Sequence, residues 1–138
     1  MDEAVVKYYR RMMRGQFEHV GSLENPAIFL DSLGEDIGIC GAIEGSYLHL
    51  YIEVADDTIK DFKYLCTCDP VANVAVDILC ILVKGKSLDE AQAITEDSFL
   101  EILGGPSAEL AKRANGLLEL LRRGIIRYQE QLGLSSQG

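Results

Sequence analysis

The residues in this sequence best suited to chemistry are soft sulfur donors. There are four cysteines, at positions 40, 66, 68 and 80. Cys66 and Cys68 form a C-x-C followed directly by Asp69, which places two thiols and a carboxylate within one short segment. Thiolates suit iron–sulfur clusters and thiophilic ions such as zinc, and three or four donors must converge to hold one. Asp69-Pro70 reads as a helix start, with Asp69 at the N-cap and Pro70 at the first helical position. A helix N-terminus stabilises thiolate and carboxylate. If the preceding strand stays extended that far, Cys66 and Cys68 point to the same side. Cys40 lies in Gly38-Ile39-Cys40-Gly41, where glycines let the backbone approach a ligand closely. The competing reading makes Cys66 and Cys68 small apolar residues at a strand end, Asp69 a plain cap and Cys40 a buried loop residue. Cys80 lies inside an apolar helical stretch and reads as core. His19 and His49 read as surface or hydrogen-bonded histidines.

The elements that would position these donors follow from periodicity. Val5, Val6, Tyr9, Met12 and Met13 give an amphipathic helix from Glu3 to about Arg14, ended near Gly15. Residues 27–31 suit a short strand. In Ser46 to Val54 the aliphatic residues Leu48, Leu50, Ile52 and Val54 alternate with Tyr47, His49, Tyr51 and Glu53. Asp56-Asp57 supplies a turn, and Ile59 to about Cys66 completes a hairpin. Val71 to Val83 is apolar on nearly every side, as expected of a buried helix. Ser87 and Glu90 form a capping box, Asp97 to Leu103 suits another short helix, and Ser107 caps a long last helix. The predicted fold is α+β, an antiparallel three-stranded sheet packed on one face by helices. A single domain spans 1–133, with a disordered tail at 134–138.

The net charge is −9, which argues against nucleic acid as a partner. No apolar run is long enough for a bilayer, and the charged N-terminus has no signal-peptide core, so the expected location is the cytoplasm and no membrane is expected as a partner. In that reducing compartment, clustered thiols lean toward metal or redox work more than disulfides. There is no phosphate-binding glycine motif and no nucleophile elbow, so no enzyme activity is read.

Several blocks resemble the NifU/IscU-type iron–sulfur cluster assembly scaffold family. They are Val83 to Ile94 (VKGKSLDEAQAI), His19 to Leu23 (HVGSL), the Leu103-Gly104-Gly105 turn, the hairpin and the closing IIRY at Ile125 to Tyr128. The likeness covers roughly residues 5 to 130. It implies an α+β sandwich and a non-enzymatic scaffold or carrier. The cluster would be bound through thiolates of Cys40, Cys66 and Cys68 with Asp69, with zinc as an alternative in the resting protein. It also implies a cysteine desulfurase and recipient apoproteins as partners.

The ligand register departs from the family pattern. Cys40-Gly41-Ala42 matches a Cys-Gly-Asp motif only with Ala42 in place of Asp and a short insertion, and ungapped counting puts Glu44 there. Ungapped counting also puts Asp69 on the family's second cysteine and Lys112-Arg113 on its His-Cys pair. Arg113 is therefore expected to pair with Asp69 or Glu44. The alternative function is a degenerate scaffold homologue without a cluster, acting as an interaction protein.

Overall fold

A computed structural model of the chain describes residues 1–39 and 46–137, the side chains of 134–137 excepted. Cys40 and Glu44 lie outside the described residues. The element order is α1 (Glu3–Arg14), β1 (Ile28–Asp31), β2 (Leu48–Ala55), β3 (Thr58–Cys66), α2 (Pro70–Val83), α3 (Leu88–Gln92), α4 (Glu96–Leu103) and α5 (Ala108–Gln137). The strands form one antiparallel sheet in the order β1-β2-β3. The fold is the expected α+β arrangement. Helix α5 continues past Gly133 to Gln137, whereas the sequence reading ends the folded domain at Gly133.

Alternation in β2 sets the layers. Leu48, Leu50 and Ile52 are fully buried, while Tyr47, His49 and Tyr51 on the opposite face are partly exposed. Burying one face and solvating the other is the usual economy of an antiparallel sheet. Asp56 and Asp57 both take positive φ, at 53° and 60°, and their short side chains tolerate it. Two successive positive-φ residues match a type I′ hairpin turn, whose twist suits the flanking strands and fixes the β2–β3 register.

Helix α2 packs against β3 and α5, and α5 also packs on β1. Ten of the fourteen residues of α2 are buried, including Cys80, so the helix is the centre of the core, as its uniformly apolar sequence requires. The capping box of α3 is present, with Ser87 Oγ accepting from Glu90 N at 3.1 Å and Glu90 Oε1 accepting from Ser87 N at 2.9 Å. Gly104 ends α4 in the left-handed conformation at φ 90°, which a side chain would strain. No helix among the described residues is long and apolar enough to cross a membrane.

Candidate functional site

The junction between β3 and α2 carries the C-x-C-Asp segment. Strand pairing ends at Leu48 opposite Cys66, so Thr67 and Cys68 lie beyond the pleat. Tyr47 and Thr67 tie the two chains there, through Thr67 N to Tyr47 O at 3.0 Å and Tyr47 N to Thr67 Oγ1 at 3.0 Å. The sulfurs consequently have different surroundings. Cys66 Sγ donates to Asn73 Oδ1 at 3.4 Å, and Cys68 Sγ lies 3.6 Å from the carbonyl oxygen of Tyr47.

Asn73 holds this junction together. Its amide donates to the carbonyls of Cys68 and Asp69, both at 3.1 Å, while its oxygen accepts from Cys66. Sequence reasoning passed over Asn73. The available signal was a polar residue within the otherwise apolar first turns of α2, where a partly buried amide needs partners to offset its desolvation.

Asp69 is the N-cap of α2, with Oδ1 accepting from Ala72 N at 2.9 Å. Its carboxylate also pairs with Arg113 of α5, Oδ2 to Nη2 at 2.9 Å, with side chains only 30% and 20% exposed. Of the two partners expected for Arg113, Asp69 is therefore the one within the described residues. The same guanidinium donates to the carbonyl of Ile39. Ile39 is 1% exposed, and it reaches α5 because Gly116 leaves room. A Cβ at Gly116 would stand 3.3 Å from Ile39 Cγ1. Arg113 thus joins three segments: the stretch containing Ile39, the β3–α2 junction and α5. Lys112 is exposed.

The electrostatics favour a protonated thiol at Cys66. Burial pushes the Cys66 thiol above its ordinary value, and the Asp69 carboxylate adds to this, while a backbone hydrogen bond at Cys68 opposes it. Among the described residues no three His, Cys, Asp or Glu side chains stand close enough to share an ion. Asp69 is engaged by Arg113 and its cap, and Cys66 by Asn73. Binding a cation or cluster there requires those contacts to exchange and thiol protons to leave.

A second polar group, missed in the sequence, lies further along α2. Asp77, buried in α2, accepts from the Tyr8 hydroxyl at 2.6 Å and meets His19 Nδ1 at 2.7 Å. The predicted hydrogen-bonded role of His19 is realised, with a specific carboxylate. His49 lies on the open sheet face, 5.2 Å from the Phe29 ring centre and 4.6 Å from that of Tyr47.

A thiol-bearing strand end, a capped buried helix and a long last helix on a three-stranded sheet define the α+β domain. Residues 4–133 match the family described as NifU-like N terminal domain, and the chain belongs to that family. Two proteins of Archaeoglobus fulgidus, named iron–sulfur cluster assembly scaffold proteins IscU 1 and IscU 2, are each 30% identical over 118 residues, covering 85% of this chain and 76% of the relative. The fold matches the N-terminal NifU-like protein of Brucella abortus with a TM-score of 0.61, at 15% identity and 94% coverage of both chains. It also matches a putative scaffold protein for the SUF system from Fervidobacterium islandicum, with a TM-score of 0.55 at 16% identity, over 91% of this chain and 96% of that one.

Proposed function

We propose that this protein is an iron–sulfur cluster assembly scaffold or carrier, a non-enzyme whose cargo is held by thiolates of Cys40, Cys66 and Cys68 with Asp69 beside them. One observation carries the reading. Arg113 gathers the segment containing Ile39, the Cys66-Thr67-Cys68-Asp69 junction and α5 at a single place, in a chain of this family. Cys66 and Cys68 are soft donors suited to iron and sulfide. Asp69 supplies a further donor once it leaves Arg113. The guanidinium then stays as a counter-charge to an anionic thiolate-bound cluster, an arrangement favoured in a partly buried site. The working partners on this reading are a sulfur donor of the cysteine desulfurase class and recipient apoproteins, in a cytoplasmic setting. Zinc in the resting protein draws no support from the described residues, which hold no ready three-ligand group.

The test is anaerobic reconstitution of reduced protein with ferrous iron and sulfide, followed by visible absorption and iron analysis. The wild type should gain charge-transfer absorption and bound iron, and Cys40→Ser, Cys66→Ser and Cys68→Ser should each lose most of both. A wild type that stays colourless and iron-free overturns the proposal. That outcome would favour a second reading, a cluster-free family member acting as an interaction protein. The Arg113–Asp69 ion pair motivates this alternative, because it fills the donor's coordination positions with a cation of the protein itself.

A further inference from the structure

The strongest feature outside the thiol site is a groove of about 790 Å³ along α1, floored by Ala4, Leu103, Gly104 and Pro106. Lys7, Arg10, Arg11 and Arg14 line it, with Asp2 and Glu3 at the start of the helix. At 100° per residue these four side chains occupy one arc of the helix, and they span roughly 10 Å along its axis. All four are exposed.

The arginines of this molecule divide into two sets. Each of the four on α5 has a carboxylate: Arg113 has Asp69, Arg122 and Arg123 share Glu119, and Arg127 meets Glu35. Among the described residues, Arg10, Arg11 and Arg14 have no ion pair. Arg11 only lies over the Tyr8 ring, at 4.9 Å. Lys7 has Glu3 at 3.6 Å, an i,i+4 pair whose side chains are 72% and 85% exposed and which contributes little. In a chain with 22 acidic residues against 13 basic ones, carboxylate partners are abundant. Three adjacent arginines without one are therefore notable.

Two simpler explanations fall short. The helix macrodipole favours cations in the last turn, which accounts for Arg11 and Arg14 but not for Lys7 and Arg10, since the effect fades within one turn. A merely solvated face on an acidic protein does not account for four cations against two acids here, since Asp2 is engaged by Ser107 and Glu3 reaches only Lys7, leaving the three arginines uncompensated. The groove is also a built feature. Asp2 Oδ2 accepts from Ser107 Oγ at 2.5 Å, fixing the start of α1 to the start of α5, and a Cβ at Gly105 would stand 3.3 Å from Ala4 Cβ.

We infer that this groove docks an acidic, extended segment of a partner protein. Carboxylates on alternate residues of an extended chain repeat at roughly 6.6 Å, so two fall within the span of the four cations. Guanidinium forks suit carboxylates. A long nucleic acid would run off the groove onto the acidic remainder of the surface. The inference does not depend on cluster binding, because among the described residues neither Cys66, Cys68 nor Asp69 lines the groove.

The test uses a fluorescein-labelled decaglutamate peptide and fluorescence anisotropy at low ionic strength. Wild type is compared with Arg10→Glu/Arg14→Glu and with Lys60→Glu/Lys112→Glu, a variant of identical net charge altered at exposed lysines outside the groove. Arg10→Gln/Arg14→Gln serves as a milder groove variant, and thermal unfolding checks each fold. The expected result is binding by wild type that weakens with salt, a loss of about tenfold or more in the charge-reversed groove variant, an intermediate loss in the glutamine variant and at most about a twofold change in the lysine control. Absence of peptide binding by wild type overturns the inference, as does equal loss in the groove and control variants. Displacement of the peptide by inorganic phosphate where sodium chloride of equal ionic strength has no effect also overturns it, assigning the groove to a small anion.

Discussion

The contact between Asp69 and Arg113 lends itself to a quantitative test, because the carboxylate has two separable roles. As N-cap it accepts from Ala72 N, and removing a cap of this kind costs about 1 kcal/mol. As ion-pair partner it meets a guanidinium whose side chain is 20% exposed, between the surface limit of near zero and the several kcal/mol of a broken buried pair. About 1 kcal/mol is a fair assignment after allowing for solvent screening. Asp69→Asn keeps a good cap acceptor and should lose only the pair, about 1 kcal/mol. Asp69→Ala should lose both, about 2 kcal/mol, which for a chain of this size lowers Tm by about 7 °C. Arg113→Leu should cost more than Asp69→Asn, since it also strips the donor from the buried Ile39 carbonyl. Urea unfolding of the reduced apoprotein, with Asp69→Asn, Arg113→Leu and the double variant, gives a coupling expected at about 1 kcal/mol. A coupling of zero, with Asp69→Asn as stable as wild type, would refute the reasoning: the pair would then be a surface contact and no barrier to metal at Asp69.

Two further expectations concern the buried polar groups. Asp77→Ala leaves the Tyr8 hydroxyl and His19 without their shared acceptor and should cost about 3 kcal/mol, whereas Tyr8→Phe, which removes one partner cleanly, should cost about 1 kcal/mol; chemical denaturation measures both. In alkali the sign runs toward loss. Burial raises the thiols of Cys66 and Cys80 and the phenols of Tyr8 and Tyr64, so the folded chain holds these protons more tightly than the unfolded chain. Their stabilisation is complete below the ordinary thiol value of 9.0 and declines as pH rises past it. Unfolding free energy of the reduced protein should therefore be flat from pH 7 to about 9 and fall beyond, with Cys66→Ser showing a shallower fall.

Much of the fold was legible because its signals are local. The alternation in β2, the Asp56-Asp57 turn, the Ser87/Glu90 capping box and the apolar run of α2 each report on residues within one turn or one pleat. The uniform apolarity of Val71 to Val83 directly encoded burial. The site was legible in part. Asp69 announced itself as a cap through Pro70, and counting against the family register suggested Arg113 as its partner. The separate environments of Cys66 and Cys68 were hidden, because same-side orientation requires a strand that continues, and the pleat stops at Cys66. Asn73 bonds residues only four to seven positions before it, and its polarity in an apolar helix start was a local signal that went unused. Asp77 was hidden because its partners, Tyr8 and His19, lie 69 and 58 residues away, and one chain carries no trace of such long-range pairings. The Gly116 approach of Ile39 likewise depends on two segments meeting in space.

The central claim is that sulfur from this chain, at the end of the sheet beside Asp69, binds iron. Iron K-edge X-ray absorption on the reconstituted protein addresses it most directly, because it counts the neighbours of the metal by element. The account expects a shell of sulfur close to each iron together with an iron–iron distance, both lost when Cys66 and Cys68 are replaced by serine. A shell of oxygen and nitrogen alone in the wild type, or an unchanged sulfur shell in that double variant, would contradict it.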